Sequence, residues 1–205
     1  MRCKVEKTLN ISGHKCQALY YKAKGIPIVF LHGLSYNIGI WQSIGITETL
    51  IEKSIPFLAL DMPYGLKSTC QPKTRDSQTN INFASEALKH VFADATPIVV
   101  GASLGGHIAL SYAAQYPVKG LFLVAPARPF EEADLVKAYE RFNFPVRIVW
   151  GSMDSLISGE EMRTLAEKLP KAKMLVYNGA AHSAYQDKPE WFKRDLLELY
   201  AVAES

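Results

Sequence analysis

Short apolar segments alternate with helix-like segments from residue 26 to the end of the chain. The apolar segments predict buried β-strands at residues 26–31, 56–60, 97–100, 120–125, 145–150 and 172–177. Helices are predicted at residues 44–54, 81–93, 105–115, 131–142, 158–168 and 189–203. Because successive strands joined through a helix lie parallel, this pattern predicts an α/β protein. Strands that are apolar throughout indicate a mostly parallel sheet with helices on both faces.

The beginning of the chain has a different pattern. Residues 5–11 and 15–22 flank the turn-like triplet Ser12-Gly13-His14, which predicts an antiparallel hairpin that opens the sheet. A polar, irregular stretch at residues 62–80 interrupts the later alternation. The sequence contains no repeat, low-complexity segment or linker, so we predict one domain over residues 1–205.

Composition limits the partners that the chain can have. With 48% hydrophobic residues among 205, the chain can bury a full core. The formal net charge is only +3 and no block of lysine or arginine occurs, so no nucleic-acid partner is expected. No apolar run reaches the ~18 residues of a membrane span. Residues 1–7 lack the apolar core of a secretory signal, so we expect a cytoplasmic protein.

The cysteines are Cys3, Cys16 and Cys70. Their number is odd, and their spacing fits neither a disulfide framework nor a metal pair. We therefore expect free thiols in a reducing compartment and no metal site.

The segment Gly101-Ala102-Ser103-Leu104-Gly105 has the pattern G-x-S-x-G between a predicted strand and a predicted helix. A tight turn there passes close to its neighbours, which explains a glycine on each side of the serine. This setting lifts the hydroxyl of Ser103 to the edge of the sheet, where a base can reach it. Ser103 is the predicted nucleophile, and the alternative is a small residue that merely permits a tight turn.

Two further polar residues follow predicted strands, Asp154 after residues 145–150 and His182 after residues 172–177. The carboxyl ends of parallel strands meet at one edge of a sheet, where ligands bind. Histidine can take the serine proton near neutral pH, and a carboxylate fixes its tautomer and stabilises the imidazolium. The chain order serine, aspartate, histidine is the one expected for a serine on such a turn. The alternatives are a helix-capping Asp154 and a surface-loop His182.

Acyl transfer also needs two donors aimed at the developing oxyanion. The backbone N–H of Leu104 directly follows the serine, and the second donor is predicted to be the N–H of Leu34. Gly33 lets this loop approach the site closely. We expect His32 to brace the same loop and Asp61 to order the next one.

These residues give the chain a resemblance to the α/β-hydrolase family. The matching segments are Leu31-His32-Gly33, Asp61-Met62-Pro63, Gly101-Ala102-Ser103-Leu104-Gly105-Gly106, Gly151-Ser152-Met153-Asp154 and Gly179-Ala180-Ala181-His182. The family implies an eight-stranded, mostly parallel sheet and hydrolysis of an ester, thioester or amide through an acyl-serine. The chain most resembles the small members without a cap domain, the type named for an interacting factor B. That type implies esterase activity on small acyl esters, with acetyl transfer or protein deacylation as a minor alternative.

The chain departs from the family pattern around the site. Tyr64-Gly65-Leu66-Lys67-Ser68 stands where G-x-G-x-S is usual, and the cap shrinks to residues 127–144, enough for one short helix. Such a minimal cap leaves the serine open to water, so a short acyl group is favoured. The candidate pocket residues are Tyr36, Trp41, Tyr64, Phe130, Tyr139, Phe142 and Tyr185. Ordinary core packing is the alternative for each of them.

The sequence therefore predicts a serine hydrolase of the carboxylesterase type. It would cleave a small carboxylic ester or thioester through an acyl-serine, without a metal or organic cofactor. Its partner would be a small-molecule acyl substrate, and it would be a monomer or a small homo-oligomer. The alternatives are an acyltransferase or deacylase with the same triad, and a non-catalytic binding protein with the same fold.

Overall fold

The predicted strands form one mixed sheet in the computed structural model, which describes residues 4–205. The strands are β1 (Val5–Ile11), β2 (His14–Tyr21), β3 (Ile28–Leu31), β4 (Phe57–Leu60), β5 (Ile98–Ala102), β6 (Gly120–Val124), β7 (Val146–Gly151) and β8 (Ala172–Tyr177). They pair in the order β1-β2-β4-β3-β5-β6-β7-β8. The pairs β1–β2 and β2–β4 are antiparallel and the rest are parallel, which confirms the predicted α/β class.

Helices cover both faces of this sheet. They are α1 (Gly39–Ser43), α2 (Ile46–Glu52), α3 (Ser77–Phe92), α4 (Leu104–Gln115), α5 (Ala133–Ala138), α6 (Gly159–Lys168), α7 (Ala184–Asp187) and α8 (Pro189–Glu204). Helices α3 to α6 pack on one face, and α1, α2, α7 and α8 pack on the other. Alternate residues of β5 enter the two cores: Val99 faces the first and Val100 the second. Within residues 4–205 no helix is long and apolar enough to cross a membrane.

Several predicted boundaries were wrong for local reasons. Helix α3 begins at Ser77, before the predicted residue 81, because the Asp76 carboxylate accepts the Thr79 N–H at 2.7 Å and caps the helix. The helix predicted at residues 44–54 corresponds to α2 alone, which begins after Gly45, whose φ is 73°. The predicted helix at residues 131–142 is α5 followed by a 3₁₀ turn at Tyr139–Arg141. The short helices α1 and α7 were not predicted.

The opening hairpin is confirmed. Strands β1 and β2 pair in continuous register from Val5 opposite Tyr20 to Ile11 opposite His14. Ser12 and Gly13 connect them with φ values of 50° and 80°. Two consecutive positive φ values fit the tight turn whose twist matches that of the flanking strands.

The expectation of free thiols was wrong for two cysteines. Cys16 of β2 and Cys70 of the loop after β4 form a disulfide, with their Cα atoms 4.1 Å apart. Beside them, Lys15 and Gln71 exchange two backbone hydrogen bonds of 2.7 and 3.0 Å. The partners are 54 residues apart in sequence, so only the sheet order and the path of this loop bring them together. Cys3 lies outside the described residues.

Candidate active site

The turn between β5 and α4 holds Ser103 in a strained backbone conformation. Its φ is 51° and its ψ is −114°, a region that a residue with a side chain rarely adopts. Neighbouring backbone fixes this conformation: Ser103 N–H donates to Val124 O at 2.9 Å, and Ser103 O accepts from Ala127 N–H at 3.0 Å. A strained serine between a strand and a helix is the geometry of a nucleophile elbow.

The two glycines of the motif allow backbone segments to touch. A Cβ added at Gly101 would lie 2.6 Å from the carbonyl carbon of Gly105. A Cβ added at Gly105 would lie 2.6 Å from His32 O and nearer still to Leu31 O. Gly101 therefore packs directly against the start of α4 and Gly105 against the end of β3, which explains the need for glycine on both sides of Ser103.

Asp154 and His182 meet at the ends of β7 and β8. His182 Nδ1 lies 2.8 Å from Asp154 Oδ2, and the aspartate side chain is fully buried. The other carboxylate oxygen accepts the N–H groups of Leu156 and Ile157 at 2.8 and 3.1 Å. Since a carboxylate accepts and does not donate, Nδ1 carries the imidazole proton and Nε2 has a free lone pair. This is the arrangement that a general base requires.

Ser103 and His182 line the same cavity, whose volume is about 200 Å³. Its lining comprises Gly33, Leu34, Ser35, Tyr36, Ala102, Ser103, Leu156, His182, Ser183 and Tyr185. In the described part of the chain, no hydrogen bond occupies Ser103 Oγ or His182 Nε2. Both atoms are therefore available to a molecule in the cavity.

The proposed oxyanion donors lie beside this serine. Leu34 lines the cavity, and its N–H has no backbone partner among residues 4–205. Leu104 is the first residue of α4, so its N–H lacks an acceptor within the helix. A Cβ added at Gly33 would be 3.7 Å from Ser103 Cβ, so the Leu34 loop packs directly against Ser103.

A buried network braces the Leu34 loop from behind. His32 is completely buried; its Nε2 accepts the Met62 N–H at 2.9 Å and its Nδ1 lies 2.8 Å from Gly33 O. Asp61 accepts the N–H and hydroxyl of Thr69 at 2.8 and 2.9 Å. Burial acts to raise the pKa of Asp61, but the neighbouring His32 and the bonds from Thr69 outweigh it and hold that pKa below its usual value. The two residues thus order the loops as the sequence suggested.

Only two of the predicted aromatic pocket residues, Tyr36 and Tyr185, line the cavity. Trp41 is fully buried behind Tyr185, with ring centroids 5.4 Å apart in a stacked arrangement. Tyr64 is buried against His32 and donates its hydroxyl to His32 O, so it supports the loop without reaching the cavity.

The cap aromatics also pack in the core instead of the cavity. Phe130 packs against the first core, where Tyr139 and Phe142 are buried with ring centroids 5.6 Å apart. Sequence reasoning did not identify Leu156 and Ser183, which lie in the cavity wall next to the predicted acid and base. Their proximity to Asp154 and His182 in the sequence was the available signal.

Comparisons with known proteins agree with this architecture. The model of the alpha/beta hydrolase family matches residues 28–192. The chain belongs to the alpha/beta hydrolase family. The human relative named "Putative protein-lysine deacylase ABHD14B" is 27% identical over 209 residues, covering 95% of this chain and 94% of that protein. Protein ABHD14A of Danio rerio is 25% identical over 175 residues, which are 85% of this chain but only 64% of that relative.

Solved structures of other proteins share the fold. A predicted CIB-like hydrolase from Thermoplasma acidophilum superposes with a TM-score of 0.86 at 22% identity, over 97% of this chain and 98% of that one. A thermophilic esterase from Thermogutta terrifontis gives a TM-score of 0.81 at 14% identity, over 99% and 100%. These likenesses show the fold alone. Together with the ABHD14 relatives, they confirm the resemblance to small family members with a minimal cap.

Proposed function

We propose that this alpha/beta hydrolase cleaves a small carboxylic ester or thioester through an acyl-serine at Ser103. One observation carries the proposal. The strained serine faces a cavity that it shares with His182, and the buried carboxylate of Asp154 holds the opposite nitrogen of that imidazole at 2.8 Å. A binding role alone would not require a strained nucleophile, a free base nitrogen and a buried carboxylate together.

In the proposed mechanism, Ser103 Oγ attacks the carbonyl carbon of the substrate while His182 Nε2 takes the hydroxyl proton. The N–H groups of Leu34 and Leu104 hold the negative oxygen of the tetrahedral intermediate. When the intermediate collapses, the imidazolium of His182, stabilised by Asp154, returns the proton to the departing alcohol or thiol. Water then attacks the acyl carbon and gives a proton to His182. The bond between the acyl carbon and Ser103 Oγ breaks, His182 returns the proton to Ser103 Oγ, and the acid leaves. No step requires a metal ion or an organic cofactor.

A second candidate is removal of an acyl group from a lysine amine. It is favoured by the name of the ABHD14B relatives, which describes them as deacylases of protein lysine. The same residues would serve, with an amine as the leaving group protonated by His182. Acyl transfer differs only in the acceptor that replaces water.

The first experiment is intact-mass analysis after exposure to a fluorophosphonate. We expect a single adduct on the wild-type protein and none on Ser103→Ala. His182→Ala should label at least ~100-fold more slowly, because general-base assistance contributes factors of that size. Ser43→Ala, in which the altered hydroxyl bonds Ile40 O outside the cavity, is the matched control and should label like the wild type.

Turnover of short esters, thioesters and acyl-lysine peptides then separates the candidates. Loss of Ser103 should cost several orders of magnitude in kcat. Equal rates for Ser103→Ala and the wild type would refute the proposal. A folded wild type that takes up no fluorophosphonate would instead favour the non-catalytic binding protein.

The location in the cell stays a prediction from the sequence. We propose the cytoplasm, and the disulfide between Cys16 and Cys70 is the observation that speaks against it, since such bonds are rare in reducing compartments. A small acyl compound as the partner, and a monomeric or small homo-oligomeric state, are likewise proposals.

A further inference from the structure

A hydrogen-bonded bridge crosses one side of the catalytic cavity. It consists of Tyr36, Ser183 and Gln186. The Tyr36 hydroxyl donates to Gln186 Oε1 at 2.6 Å and lies 2.9 Å from Ser183 Oγ. Because the single phenolic hydrogen points to Gln186, the Ser183 hydroxyl donates to the Tyr36 oxygen. The two hydroxyl hydrogens of the bridge therefore each have an acceptor, and these hydrogen bonds hold the hydroxyl end of the Tyr36 ring.

The bridge joins the two loops that carry the reacting groups. Tyr36 lies two residues after Leu34 on the loop that follows β3, and Ser183 directly follows His182 on the loop that follows β8. All four residues line the cavity beside Ser103. The Tyr36 side chain thus lies against the space that a substrate group would fill.

The side chains behind the Tyr36 ring are packed in the core and cannot move aside. The Tyr36 ring packs edge-on against Tyr185 with centroids 6.4 Å apart, and Tyr185 is only 1% exposed. Trp41, stacked behind Tyr185, is 0% exposed. Tyr36 itself is half-buried, and hydrogen bonds hold its outer end. Of these rings, Tyr36 is the one that a substitution can remove to enlarge the cavity without emptying the core.

The cavity is small enough for this wall to limit the substrate. Its volume is about 200 Å³. A cavity of this size holds a group of only a few non-hydrogen atoms, and a longer group must extend past the Tyr36 ring or out through the open side of the cavity. We propose that Tyr36 is a specificity-determining residue, whose bridged ring restricts the enzyme to substrates with a short group beside Ser103. The inference rests on the proposed function and goes further by assigning the size limit to one side chain.

The test uses two series of esters with the full-length chain. In one series the acyl chain of p-nitrophenyl esters grows from two to ten carbons, and in the other the alkyl chain of n-alkyl acetates grows over the same range. The readout is the ratio of kcat/KM for a long chain to kcat/KM for the shortest. Each newly buried methylene favours binding about fourfold. Tyr36→Ala, which makes room for two or three methylenes, should therefore raise the ratio at least ~10-fold in one series.

Tyr36→Phe keeps the ring and removes both hydrogen bonds, so its ratio should lie between those of the wild type and Tyr36→Ala. Tyr116→Ala is the matched control. It removes another half-buried tyrosine, at the end of α4 outside the cavity, and should leave both ratios unchanged. Thermal unfolding of each variant checks that the fold persists.

The outcomes separate this inference from the proposed function. If Tyr36→Ala lowers all rates by a common factor and both ratios stay as in the wild type, Tyr36 is merely structural and the inference is wrong. If the wild-type protein hydrolyses no ester of either series, the proposed esterase function fails and this inference fails with it.

Discussion

Replacing Gly105 with alanine tests whether the start of α4 and the end of β3, which leads into the Leu34 loop, pack backbone against backbone. The added Cβ would lie 2.6 Å from His32 O and nearer still to Leu31 O, whereas real Cβ atoms essentially never come within 3.0 Å of a heavy atom. Both contacts are with carbonyl groups at the end of β3, so no side chain can rotate away. Either α4 or the loop that carries Leu34 must shift.

The cost follows from this geometry. Overpacking typically destabilises by ~1–3 kcal/mol when side chains can adjust. Here only backbone can move, so the clash should reach at least the upper end of that range. The better helix propensity of alanine offsets up to ~1 kcal/mol of it. We therefore expect a net loss of ~2–3 kcal/mol or more, which corresponds to a fall in Tm of ~4–12 °C for a chain of this length.

Calorimetry and urea unfolding measure this loss. Gly39→Ala is the matched control, because the atom nearest its added Cβ is a side-chain oxygen, Asn37 Oδ1, at 3.1 Å, which has to move by only a few tenths of an ångström. The control should stay within ~1 kcal/mol of the wild type. Gly105→Ala should also slow fluorophosphonate labelling well below its unfolding temperature, since the shift moves the Leu34 N–H away from Ser103. A stability equal to that of the wild type would refute the packing argument.

Three further predictions concern stability. Burial, assisted by the charge of Arg128, lowers the pKa of His107 below 6.5, so the folded state holds this proton less tightly than the unfolded state. Stability should therefore fall as pH drops below about 6.5, and His107→Gln should flatten the fall in Tm measured from pH 7 to pH 5. The pKa of Asp61 is also lowered, so its contribution is present above pH ~4 and is lost on further acidification; Asp61→Asn should destabilise more at pH 7 than at pH 3. Reducing the disulfide between Cys16 and Cys70, which are 54 residues apart, should cost about 4 kcal/mol in urea unfolding. Alkylation in denaturant should modify one thiol before reduction and three after it; three without reductant would contradict the disulfide.

The sequence was most informative where local chemistry decides the structure. The apolar residues of each strand and the glycines around Ser103 determine the structure of the few residues next to them. The class of the sheet and the elbow could therefore be predicted. The aromatic side chains could not be placed in the same way. Tyr36, Trp41 and Tyr64 look equivalent in sequence, yet only Tyr36 reaches the cavity, because packing between distant helices and loops decides which face of a ring is covered. The disulfide escaped prediction for the same reason.

The minimal cap links specificity to catalysis in this chain. In members with a lid domain, separate residues can enclose the substrate. Here the cavity walls are the loops that follow the strands, and these same loops carry Leu34 and His182. Tyr36 and Ser183 connect those loops through one hydrogen bond of 2.9 Å. Removing the Tyr36 side chain therefore also loosens the spacing between the Leu34 N–H and His182. Tyr36→Ala should raise kcat/KM for long substrates and lower kcat for the shortest one. If Tyr36→Ala hydrolysed long substrates faster without losing kcat on the shortest one, the two loops would be held in place by their own packing alone.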